Sequence, residues 1–141
     1  MMNPYQKYRR QDEPTGWTRM DMLLALYDKA LERLDRAQAA LVAGDPGTAL
    51  PQLAKTQLIV TELAAGVRVE VNPEANTNML RLYEFVAHAL ARATVEGIES
   101  SRKVLRTLRE GFEAVRTEAN ELERSGRIST SDQFQMVLET A

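Results

Sequence analysis

The stretch Pro73-Glu74-Ala75-Asn76-Thr77-Asn78-Met79-Leu80-Arg81-Leu82-Tyr83-Glu84-Phe85-Val86-Ala87-His88-Ala89-Leu90-Ala91-Arg92-Ala93-Thr94 reads as one helix, and its apolar residues cover more of the cylinder than a bundle core requires. At about 100° per residue, Met79, Leu82, Tyr83, Val86, Leu90 and Ala93 form one stripe. Phe85 and Ala89 flank it on one side, and Leu80, Ala87 and Ala91 on the other. Only Thr77, Arg81, Glu84, His88 and Arg92 make a polar side. A surface helix carries an apolar stripe of about 100°, whereas this one is apolar around roughly two thirds of its circumference. It is therefore contacted on several sides, either by the rest of the fold or by a partner.

Working outward, the remaining segments read as helices too. Thr18 with Asp21 three residues later forms a capping box, and Met20, Leu24, Tyr27, Leu31, Leu34 and Leu41 recur at three- and four-residue steps. This first helix is expected to run to about Ala43, where Gly44 supplies a left-handed stop. Asp45-Pro46-Gly47 is read as a turn and restart. A second helix is expected from Ala49 to Ala65, with Pro51 tolerated near its first turn. Its inward stripe is Leu53, Val60, Leu63 and Ala64, flanked by Ile59. Leu50, Ala54, Leu58 and Ala65 lie on nearly the opposite side, a second uncovered apolar strip. Gly66 ends it, and the stretch through Val71 is read as an irregular crossover.

Asn72-Pro73-Glu74 opens the third helix with a capping side chain, a proline at the first helical position and an acid at the positive end of the dipole. Glu96-Gly97 is read as its break. The fourth helix, from Ile98 to Arg124, repeats Ile98, Leu105, Leu108, Phe112, Val115, Ala119 and Leu122 on a narrow arc. The expected fold is thus all-α, an antiparallel up-down four-helix bundle over residues 18–124, between an N-terminal arm (1–17) and a C-terminal tail (125–141). Asn3-Pro4 starts one turn in the arm that sets Tyr5 beside Tyr8; in the tail, Ser131 or Asp132 caps a short helix carrying Phe134, Val137 and Leu138.

At 141 residues the chain is long enough to bury a core without cross-links, and it contains no cysteine, so disulfides, zinc thiolates and cysteine nucleophiles are excluded. The formal charge is −2, and no segment approaches the ~18 apolar residues of a membrane span. The expected location is the cytosol, without membrane insertion. The single histidine, His88, follows Glu84 by four residues rather than three, so the di-iron Glu-x-x-His pattern is absent and a solvated helix-face histidine is expected. No nucleophile has a base beside it in a motif and no glycine-rich loop follows a strand. No enzyme is read here, and no cofactor or metal. Arg102, Arg106, Arg109 and Arg116 share one side of the fourth helix, but Glu99, Glu110, Glu113 and Glu118 interleave with them, which suits a salt-bridged face better than nucleic acid. Tyr27, Tyr83 and Phe112 are expected in the core.

The order and spacing of several motifs resemble one family, the flagellin-specific export chaperones called FliS. Asn3-Pro4-Tyr5 followed by Tyr8 is similar to that family's Asn-Pro-Tyr-x-x-Tyr. Met22-Leu23-Leu24-Ala25-Leu26-Tyr27-Asp28-Lys29-Ala30-Leu31 resembles its first-helix signature, and Asn78-Met79-Leu80-Arg81-Leu82-Tyr83-Glu84-Phe85-Val86 resembles its third. Ala93-Thr94 stands where Ala-Asn is usual. Trp17-Thr18-Arg19 replaces the common Ala-Ser-Pro, Phe112 a usual tryptophan, and the tail from Ser125 has no counterpart. The resemblance, which runs from Asn3 to about Val115, implies a cytosolic chaperone, monomer or weak dimer, that holds the C-terminal segment of flagellin and delivers it to the flagellar type III export apparatus, with the export gate and a co-chaperone as further partners. On this reading Leu50, Ala54, Leu58, Ala65, Leu80, Phe85, Ala87 and Ala91 contact the client, and Tyr5 and Tyr8 act as an arm or lid. The alternative is a structural protein whose apolar stripes join identical copies.

Overall fold

In the computed structural model Thr18 caps the first helix as the sequence requires: its hydroxyl accepts the Asp21 N–H at 3.2 Å, and Asp21 Oδ2 accepts the Thr18 N–H at 3.1 Å. Residues 17–126 are described. The expected arm contacts of Tyr5 and Tyr8, and the expected tail helix with Phe134, Val137 and Leu138, lie outside them. Five helices follow in order: α1 (Arg19–Val42), α2 (Pro46–Ala65), α3 (Pro73–Ala91), α4 (Val95–Ala114) and α5 (Arg116–Arg124). The first four make an all-helical bundle in which each packs against its chain neighbour and α1 closes the ring against α4.

Local chemistry moves three of the expected boundaries. Asp45 caps α2 through its carboxylate to the Thr48 N–H at 3.2 Å, so Pro46 opens the helix instead of forming a turn before it. The third helix ends at Ala91, earlier than Thr94, with Ala93 in the left-handed region at φ 52°. Gly97 is not a breaker at all. It sits in the first turn of α4, where Thr94 caps its N–H at 3.0 Å, and a Cβ there would meet the Ala89 carbonyl at 2.4 Å. Its missing side chain lets α4 cross the end of α3.

Tyr27 and Tyr83 meet across the centre with their hydroxyls 2.6 Å apart, and the Tyr27 ring lies 5.8 Å from that of Phe112. All three are fully buried, among Leu34, Ile59, Val86, Leu90, Ile98 and Leu105. Each phenol gives the other the polar partner that a buried hydroxyl needs. Burial raises both above the ordinary tyrosine value, so the pair stays neutral.

The seam of α1 with α4 and the start of α5 is polar on its outer edge. Asp21, Asp28 and Asp35 step by seven residues along α1, and Arg116, Arg109 and Arg102 step by seven in the opposite direction, giving contacts at 2.8, 2.5 and 3.1 Å. Arg102 also donates to Gln38. Three of the four arginines expected to pair within their own helix, Arg102, Arg109 and Arg116, thus pair chiefly with α1, with Glu113 assisting Arg109 and Arg116. Exposed pairs of this kind contribute only ~0.2–1 kcal/mol each, but their spacing fits a single antiparallel register.

The expected fourth helix is interrupted at Val115 (φ −106°, ψ 3°). The break turns α5 onto the start of α1, where Asn120 donates to Asp21 at 3.2 Å and accepts from the Thr18 hydroxyl, and Glu123 accepts the Arg19 N–H at 3.1 Å. Phe112, Val115, Ala119 and Leu122 keep their period across the break, so it leaves no mark in the apolar pattern.

Two stability experiments follow. Gly97→Ala should cost about 1–3 kcal/mol in urea unfolding because backbone must move, whereas Ala93→Gly should gain about 1 kcal/mol by relieving a left-handed alanine. For Asp21, burial raises the carboxyl, but the Thr18 N–H, Arg116, Asn120 and the Thr18 hydroxyl together hold it below the usual carboxylate range. Its stabilising contribution is therefore present above the unfolded value of about 3.9 and is lost as pH falls through the lower folded value. The gap in urea midpoint between wild type and Asp21→Asn should be widest near neutrality and narrow below about pH 4.

Candidate functional site

Because the core closes on Tyr27, Tyr83 and Phe112, the apolar residues that remain outside are surplus to it. Leu58 points directly away from the stripe formed by Leu53, Val60 and Leu63 and is 60% exposed; Leu50 is 52% exposed, and Ala54 and Ala65 are exposed beside them. On α3, Leu80 and Ala87 are half-buried and Ala91 is exposed. Gln57 Nε2 donates to the Ala87 carbonyl at 3.1 Å, which places Ala87, and with it Leu80 and Ala91, along the α2 side of α3. Leu80, Ala87 and Ala91 therefore lie on the flank of α3 toward α2, while Leu50, Ala54, Leu58 and Ala65 lie on the outer face of α2.

Phe85 belongs elsewhere. It lies about 140° around α3 from the Leu80, Ala87 and Ala91 row, on the side where Ala89 meets Gly97 of α4. Phe85 is 44% exposed there, next to Leu82 at 38%. Val104, seven residues after Gly97 and on the same face of α4, is half-buried along this second seam. The sequence reading placed Leu82 in the inward stripe and Ala89 on the flank. In the structure Ala89 is buried and Leu82 is not, because the core axis of α3 runs through Met79, Tyr83, Val86 and Leu90. Leu82 was the missed member. Its signal was its position at the edge of the stripe, three residues before Phe85.

Between the two seams runs a charged crest of Arg81, Glu84, His88 and Arg92, all exposed. His88 Nε2 lies 3.6 Å from Glu84 Oε1 with both side chains in solvent. Among the described residues no group of three or more His, Asp or Glu side chains is placed to hold a metal ion, and no helix is long and apolar enough to cross a membrane. Two hollows lie beside α1, and Ala65 borders the first. One, of about 200 Å³, opens between Leu23 and Leu26 of α1 and Leu63 of α2, with Arg19 and Glu62 at its rim. The other, of about 220 Å³, lies beside Trp17 between the first two Asp–Arg rungs. Neither gathers a nucleophile with a base.

Such a surface suits an amphipathic helix better than a small molecule: long apolar seams, small residues at Ala54, Ala87 and Ala91 for close backbone approach, and a charged strip that sets orientation. No curated protein and no solved structure matches the chain. One family model does, described as the flagellar protein FliS, over residues 1–119. With that span covering α1 to α4 and the first turn of α5, the chain belongs to the FliS family of flagellar export chaperones.

Proposed function

We propose that this protein binds the C-terminal helical segment of flagellin in the cytoplasm, keeps it from polymerising before export, and hands it to the flagellar type III export apparatus. The observation that carries this reading is the exposure of Leu58 and Phe85 on helices whose cores are already complete. A disordered client that folds on binding buries on the order of 1,000–3,000 Å² and loses part of that gain to its own ordering. Leu50, Ala54, Leu58 and Ala65 on the outer face of α2, with Leu80, Ala87 and Ala91 on the flank of α3 toward α2, provide one surface for it. Phe85, with Leu82, provides a second contact across the crest. The family is one of chaperones, which fits a protein whose work is done by surface rather than by a reacting group.

Calorimetric titration with the C-terminal peptide of the organism's flagellin should show saturable binding with a negative heat-capacity change. Burying a side chain of this size stabilises by about 1.5–3 kcal/mol, so Leu58→Asp and Phe85→Asp should each weaken binding by about tenfold or more. Both should keep the wild-type helical circular dichroism, since neither side chain belongs to the core. Absence of heat, together with a concentration-independent dimer in light scattering that ignores the peptide, would instead favour the homo-oligomeric reading.

A further inference from the structure

The docking of α5 differs in kind from that of the other helices. Only Ala119 and Asn120 are buried on it, Ala119 joining the core, and the remaining contacts to α1 are polar: Arg116 to Asp21, Asn120 to Asp21 and Thr18, and Glu123 to the Arg19 N–H. Arg116 is 43% exposed, so salt reaches its ion pair. The charged groups around the contact are Arg19, Asp21, Glu113, Arg116 and Glu123. At Val115 the helix is already interrupted, and no side chain caps the start of α5. Asn120 and Glu123, which make the contacts to Thr18 and Arg19, both lie beyond the residues matched by the family model.

We infer that α5 is a detachable latch, which swings about Val115 away from the start of α1 while α1 to α4 stay folded. The arrangement carries this directly. Leaving α5 breaks the polar contacts to Thr18, Arg19 and Asp21 and withdraws Ala119, the one core side chain that α5 contributes, whereas opening any of α1 to α4 exposes several large ones. Release also removes Arg116 from the hollow beside Trp17, whose walls include Asp21 and Leu24, so the same motion widens that hollow. The device does not depend on the client reading above.

Hydrogen exchange on the full chain tests it. Arg116→Gln and Asn120→Ala weaken the latch from the α5 side only, leaving the Thr18–Asp21 capping box intact. Each should speed exchange of the amides in α5 by about tenfold, as should raising the salt, while α1 to α4 change less than about twofold. The latch is overturned if α5 exchanges in step with α4 in every variant, if either variant loosens the whole bundle, or if α5 is already unprotected in the wild type.

Discussion

The register of α1 against α4 is the constraint on which the other features depend. Asp28 and Asp35 face Arg109 and Arg102 only when the two helices run antiparallel at one offset, and a slip by one residue would misalign both rungs; Arg116 of α5 continues the row to Asp21. Each rung keeps one partner open to solvent and adds little energy individually. Their value is discrimination among apolar packings that are otherwise close in free energy. With that offset fixed, Tyr27 packs at a tilt against Phe112 and reaches the Tyr83 hydroxyl, and α3 is held at one rotation about its own axis.

That rotation decides what is left outside. Met79, Tyr83, Val86 and Leu90 face inward, so Leu80, Ala87 and Ala91 fall toward α2, and Leu82 and Phe85 toward α4. The apolar excess of α3 is therefore not one broad face but two bands separated by Arg81, Glu84, His88 and Arg92. The outer face of α2 adds Leu58, set opposite its own buried stripe. An amphipathic guest has apolar edges to follow on both sides of one helix.

Much of this was legible in the sequence because helical periodicity and capping are local. The Thr18–Asp21 box, the Asn72-Pro73 start and the outward aim of Leu58 follow from residues within a turn or two of one another. What escaped was set by contacts between distant segments. Gly97 looks like a breaker until the Ala89 carbonyl is seen beside it, and the Arg102 to Arg116 row looks self-paired until α1 is laid alongside. The turn at Val115 is invisible because the apolar period passes through it, while the reason for it, the polar end of α1, lies about a hundred positions earlier. Phe85 is exposed, but its separation from the Leu80, Ala87 and Ala91 flank depends on which neighbour each side of α3 meets.

The charged crest has a bearing on crowding. Two empty copies that touch face to face can mate only one narrow greasy band at a time, because the ionic ridge of Arg81, Glu84, His88 and Arg92 holds the other band away from the junction. Dividing the sticky area this way keeps casual pairing shallow and reversible. A slender flexible strand, able to step over the ridge, would not meet that obstacle.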